Sequence, residues 1–180
     1  MGKPLRVLFV ENSEDDMELS LRELRRHGYD PVYKRVETKE TLSAALEDEA
    51  WDAIISDYNM PKLSAPDALA LLQGKGLDLP FIVVSGTITE ERAVTVLKAG
   101  AHDFVAKERL TRLVPAIERE LREVVVRRER GAAQKALTEK VKELELLNRV
   151  MMNREERILE LKEEIKRLQT HIPIKNQGGI

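Results

Sequence analysis

The chain contains no cysteine, which excludes disulfides and thiolate metal sites. Aromatic residues make up only 4% of it, and all of them precede residue 131. A large charge excess of either sign is also missing. Thirty basic residues against 32 acidic ones leave a net charge of −2. That balance gives no support to a general nucleic-acid binder or to a polyanionic tail. No apolar run approaches the roughly 18–20 residues of a membrane span. The N-terminal Met1-Gly2-Lys3-Pro4-Leu5-Arg6 lacks the apolar core of a signal peptide. These absences lead to an expectation of a cytoplasmic protein with neither a membrane nor a nucleic-acid partner.

The 180 residues suffice for one ordinary domain and an extension. Two parts differ in composition. Residues 1–130 hold six of the seven prolines, with 20 basic and 24 acidic side chains. Residues 131–180 hold no Phe, Trp or Tyr and are dominated by Leu, Glu, Lys and Arg, the composition of a long helix. The expected organisation is a domain over 1–130, a helical extension over 131–172 and a tail over 173–180.

Within the first part, strand and helix signals alternate five times. Leu5–Val10 is an apolar strand, broken by Glu11-Asn12-Ser13. Ser13 caps a helix whose first turn carries Glu14, Asp15 and Asp16, and whose apolar stripe is Met17, Leu21 and Leu24. Gly28 stops it. Pro31–Val36 reads as an edge-like strand, and Thr38 caps a helix that turns Leu42, Ala45 and Leu46 inward. Ala53–Ser56 is a buried strand ending at Asp57, with Tyr58-Asn59-Met60-Pro61 as its turn. Ala65–Gln73 is a short helix, and Phe81–Val84 a fully apolar strand ending at Ser85-Gly86-Thr87. Thr89 caps the next helix and Gly100 closes it. His102–Ala106 is a last strand, followed by Lys107. Leu110, Leu113, Val114, Ile117, Leu121, Val124 and Val125 give an amphipathic helix.

This order predicts an α/β fold, a flavodoxin-like doubly wound sheet of five parallel strands in the order 2-1-3-4-5. Taken alone, Asp57 reads as a loop or helix cap. The predicted topology changes that reading, because the carboxyl ends of strands 1, 3, 4 and 5 converge. They bring Glu11, Asn12, Asp57, Ser85 and Lys107 together. Carboxylates, a hydroxyl and an ammonium suit phosphoryl transfer. A carboxylate can attack phosphorus, a hard dication neutralises the transferring group, and a lysine adds positive charge. Gly74-Lys75-Gly76 lacks the spacing of a phosphate-binding loop. The three histidines are scattered and suggest no metal site, and Trp51 reads as packing.

Four motifs together carry a family resemblance. They are Val10-Glu11-Asn12, Ser56-Asp57-Tyr58-Asn59-Met60-Pro61, Val83-Val84-Ser85-Gly86-Thr87, and Lys98-Ala99-Gly100-Ala101-His102-Asp103-Phe104-Val105-Ala106-Lys107. From about Leu5 to Arg128 the chain resembles the receiver domain of two-component response regulators. The resemblance implies that Asp57 takes phosphate from a histidine kinase or a histidine phosphotransfer protein. It implies Mg²⁺ bound by Glu11, Asn12, Asp57 and the backbone carbonyl of Asn59. Ser85 would occupy the switch hydroxyl position, Lys107 the invariant-type lysine position and Phe104 that of the rotating aromatic. The face formed by the fourth helix, fifth strand and fifth helix would carry the signal.

The chain departs from the family where a second acidic residue usually follows the first strand. Asn12 stands there, so Mg²⁺ binding is expected to be weakened. Asp15 or Asp16 could compensate for the missing charge, although their role as helix N-terminal charges is the favoured reading. Lys62 stands where many receivers have Gly. Aspartyl phosphatases usually carry a second Asp two residues after the first, and Asn59 at that place argues against a hydrolase.

The second part carries a heptad frame: Leu137, Lys140, Leu144, Leu147, Met151, Arg154, Ile158, Leu161, Ile165, Leu168 and Ile172. Nine of these eleven positions are apolar, a coiled-coil signal whose simplest partner is a second copy, the alternative being a helix that folds back on its own receiver. In a parallel dimer Arg157 and Lys162 would meet as like charges. Gly131 and Ala132-Ala133 could mark a kink. The stretch from Leu147 to Arg157 is similar to linkers that join receivers to sensor or kinase modules. Two further readings stay open: a phosphate-independent coiled-coil scaffold, and the front of a longer hybrid sensor kinase.

Overall fold

The computed structural model describes residues 2–86 and 89–170. It separates into two units, Met1–Arg128 and Glu129–Ile180. Thr87, Ile172 and the tail expected over 173–180 lie outside the described residues.

The first unit is a five-stranded parallel sheet, ordered β2-β1-β3-β4-β5 as expected. The strands are β1 (Lys3–Val10), β2 (Tyr29–Val36), β3 (Ala53–Asp57), β4 (Phe81–Ser85) and β5 (Asp103–Ala106). The helices are α1 (Glu14–Arg26), α2 (Lys39–Asp48), α3 (Ala65–Gly74), α4 (Glu90–Lys98) and α5 (Leu113–Thr170). A 3-10 turn over Lys107–Arg112 joins β5 to α5, so Leu110 lies in that turn rather than in the helix.

Alternation along each strand builds two cores. Leu8, Val10, Ile54, Phe81 and Val83 face α2, α3 and α4 with Leu42, Leu69 and Val96. Val7, Phe9, Ile55, Ile82 and Val84 face the other way, onto Leu21 and Leu24 of α1 and Leu113 and Ile117 of α5. Every central strand is thereby buried on both faces, which is why those strands read as unbroken apolar runs. Trp51 is buried, and its indole N–H donates to the Ala45 carbonyl at 2.8 Å.

The helix starts follow local chemistry. The hydroxyls of Ser13, Thr38 and Ser64 accept from the backbone N–H groups of Asp16, Thr41 and Asp67. Thr89 occupies the corresponding place on α4 but makes no capping hydrogen bond. Val125, expected on the inward stripe of the last helix, is 54% exposed, whereas Val124 is buried. Val125 lies about 100° further round the helix than Val124, outside the stripe that is buried at that turn.

Gly100 ends α4 at φ +112, and a Cβ there would stand 2.5 Å from the Gln73 amide nitrogen. That amide donates to the Ala99 carbonyl at 2.8 Å. Gly100→Ala therefore meets both an unfavourable backbone and a close neighbour. It should cost about 1–3 kcal/mol, read as a lowered urea midpoint with an unchanged slope.

His102 supplies a pH dependence. The backbone N–H of Phe81 donates to His102 Nδ1 at 3.1 Å, a bond that needs an unprotonated ring nitrogen. Burial holds its pKa below the ordinary 6.5, with Arg127 adding to the effect and Glu120 and Asp78 opposing it. The folded value lies under the unfolded one, so the stability contribution is complete above 6.5. It is lost as pH falls through 6.5 toward the folded value. The urea midpoint should drop between pH 7 and 5.5, and less so in His102→Asn, whose carbonyl can still accept. Parallel slopes for the two proteins would contradict this.

In the second unit the described heptad positions stand open. Leu144 and Met151 are each 62% exposed, and Leu137, Leu147, Ile158, Leu161, Ile165 and Leu168 are also exposed. Among the described residues no helix is long and apolar enough to cross a membrane.

Candidate functional site

The strand register explains why distant residues meet. Val10 pairs with Ser56, so Glu11 and Asp57 follow at one level. Asp57 pairs with Val84 and Ser85 with Ala106, which puts Ser85 one residue and Lys107 two residues beyond that level. Two residues span about 7 Å of strand. The four-carbon stem of a lysine covers that distance and returns its ammonium to the level of Asp57.

Lys107 Nζ donates to Asp57 Oδ2 at 3.1 Å. A shorter hydrogen bond, 2.7 Å, runs from the same nitrogen to Asp16 Oδ2. Glu11 Oε2 lies 3.7 Å away, an ionic contact without hydrogen-bond length. Burial alone would lower the lysine's pKa. The hydrogen bond to Asp16, the charge of Glu11 and the bond to Asp57 outweigh it and hold the ammonium above its usual range. Glu11 is buried, and burial pushes its carboxyl up. The Ser13 N–H, donating to Glu11 Oε1 at 2.9 Å, and the lysine act against that rise. Ser85 is buried at the end of β4, and Ser56 turns its hydroxyl onto the Asp57 carbonyl at 3.0 Å.

This arrangement gathers Glu11, Asp57 and Lys107 as the strand ends required. Asp16, for which the sequence favours a helix-terminus role over a compensating one, is in contact with the site through Lys107. The reason is helical phase. Asp15 is exposed, whereas Asp16 is half-buried on the edge of the face that buries Met17 and Ser20. Ser20 four residues on, a small polar residue among the apolar positions, was the available signal. Asn12 is exposed and lines a cavity of about 160 Å³ with Glu37, Met60, Pro61 and Lys62. Asn59 is exposed in the turn after β3, and Phe104 is half-buried against the α2–α4 core.

The response regulator receiver domain pattern matches residues 7–118. The chain belongs to the response regulator receiver family. Transcriptional regulatory protein PrrA of Mycobacterium tuberculosis (strain ATCC 25618 / H37Rv) is 34% identical over 102 residues, 57% of this receiver chain. The match covers 43% of PrrA, so the chain spans less than half the length of that relative. Two solved structures share the fold. The signal receiver domain of a signal transduction histidine kinase from Syntrophus aciditrophicus is 27% identical, over 67% of this chain and 92% of that one, with a TM-score of 0.57. The receiver domain of sensor histidine kinase PA1611 from Pseudomonas aeruginosa PAO1 is 22% identical, over 67% and 98%, with a TM-score of 0.56. That structure has magnesium coordinated in its active site cleft.

A magnesium ion fits the chemistry of the residues present. The pocket's donors are carboxylate and carbonyl oxygens, and the Lys107 ammonium already stands among three carboxylates as a positive charge. Among the described residues no group of three or more His, Cys, Asp and Glu is gathered as a metal cage. Mg²⁺ does not need one, since it keeps several waters and uses one or two protein carboxylates.

Proposed function

We propose that this receiver is a phosphorylation-controlled signalling module with Asp57 as its phosphoacceptor. The observation that carries the reading is the Lys107 ammonium, hydrogen-bonded to Asp57 at the carboxyl edge of the sheet. The partner is a histidine kinase or a histidine phosphotransfer protein. An Asp57 carboxylate oxygen forms a bond to phosphorus, and the phosphorus–nitrogen bond of the phosphohistidine breaks. The imidazole leaves with the electron pair and takes a proton. Lys107 donates to a phosphoryl oxygen as charge builds there, and Ser85 is placed to hydrogen-bond the group once it has arrived. Glu11, Asp57 and the Asn59 carbonyl would hold Mg²⁺, which supplies charge neutralisation.

Phosphorylation then shifts a two-state equilibrium read through Phe104, the α4–β5–α5 face and the long α5 helix. The exposed heptad seam pairs with a second copy of the chain. Acetyl phosphate with Mg²⁺ should add one acid-labile phosphate per chain, and omission of Mg²⁺ should suppress it. Absence of label under both conditions would defeat the reading. The second reading, a phosphate-independent dimerisation scaffold, is favoured by one observation: Asn12 replaces an acidic residue and is exposed. It predicts an unlabelled chain with an unchanged dimer.

A further inference from the structure

We infer that Asp16 compensates for the charge missing at Asn12, acting through Lys107. The inference rests on the phosphoacceptor reading and assigns that site a further positioning residue. Of the three carboxylates around Lys107, Asp16 is nearest at 2.7 Å, ahead of Asp57 at 3.1 Å and Glu11 at 3.7 Å. Asp16 is therefore the principal partner of the ammonium. Its place is set from its own helix, because its backbone N–H donates to the Ser13 hydroxyl at 3.2 Å. The Ser13 N–H in turn ties Glu11 Oε1, which leaves Glu11 Oε2 on the lysine side.

The charge count follows from these contacts. Without the Asp16 carboxylate, Glu11 and Asp57 would share one lysine and keep a single net negative charge. With it, the lysine is neutralised from α1, and Glu11 and Asp57 keep two. Two negative charges match a dication held by one or two carboxylates. No bond from Asp16 to the cation is required, which agrees with the lack of a three-carboxylate cage among the described residues. Asp16 acts on the metal as an outer partner that sets the charge and position of an inner one.

Asp15 separates this role from the ordinary effect of acid in a first helical turn. Both residues lie in the first turn of α1, but Asp15 is exposed and Asp16 contacts the lysine. MgCl₂ titrated into the full chain by calorimetry reads the difference. Asp16→Asn should weaken Mg²⁺ about 10- to 100-fold, the usual range for an outer partner. Asp15→Asn should leave the affinity unchanged. The double variant Asp16→Asn with Asn12→Asp should regain the parent's affinity, which a purely structural role of Asp16 would not allow. The inference is overturned if Asp16→Asn binds like the parent, if Asp15→Asn weakens binding equally, or if the double variant stays weak. It is also overturned if the parent fails to bind while Asn12→Asp binds. Intact Mg²⁺ binding together with no acetyl phosphate labelling would defeat the phosphoacceptor reading instead.

Discussion

Asp57→Asn should abolish labelling by acetyl phosphate while leaving the fold intact. An amide oxygen is a poor nucleophile and cannot form the acyl phosphate, so the loss is complete rather than graded. The shape of the side chain is retained, which keeps the variant informative. Stability should not fall. Glu11, Asp16 and Asp57 crowd around a single lysine, and removing one negative charge relieves their repulsion. The amide carbonyl that the substitution introduces can still accept from Lys107. The expected result is therefore background label with a thermal midpoint equal to or above the parent's. Label that persists in Asp57→Asn would place the acceptor elsewhere, and hydroxylamine sensitivity would show whether it is still an acyl phosphate.

Leu147→Glu combined with Ile158→Glu should convert a dimer to a monomer. Both side chains are exposed, at 54% and 43%, and occupy the heptad seam. Burying such a side chain contributes about 1.5–3 kcal/mol. Each chain of a pair would lose two, and four carboxylates would enter an apolar interface, where unpaired charge is costly. A shift of many kcal/mol is large against ordinary dimer affinities, so sedimentation equilibrium should give the monomer mass. Helix content should fall as well, because a lone helix without a packed face is marginal in water. Lys140 and Arg154 already occupy two seam positions, where polar residues restrict register at some cost in stability. A parent that sediments as a monomer, or a double variant with the parent's mass, would refute the pairing.

Much of the fold is legible in the order of residues alone. Unbroken apolar runs such as Phe81–Val84 announce strands buried on both faces, and capping residues such as Ser13 and Thr38 mark helix starts. Their alternation leaves few topologies, since parallel strands require right-handed crossovers. The convergence of Glu11, Asp57, Ser85 and Lys107 follows from that topology, because each stands at the carboxyl end of its strand. Strand ends can be counted from sequence, so this half of the site was predictable.

The other half depended on how elements are phased against one another. Three consecutive acids, Glu14, Asp15 and Asp16, satisfy the first turn of a helix equally well, and the favourable charge of that turn does not select among them. Only the rotation of α1 on the sheet turns Asp16 toward Lys107 and leaves Asp15 in solvent. The same dependence put Val124 inside and Val125 outside on α5. It also changes the significance of Asn12. By sequence the pocket is one charge short, and the contact of Asp16 with Lys107 is what motivates the compensation inferred above. Sequence determined the order of elements and the chemistry at each strand end, because those depend on residues close along the chain. Tertiary packing decided which side chain of a helical turn reaches the lysine, because a rotation of about 100° per residue separates neighbours that are chemically alike.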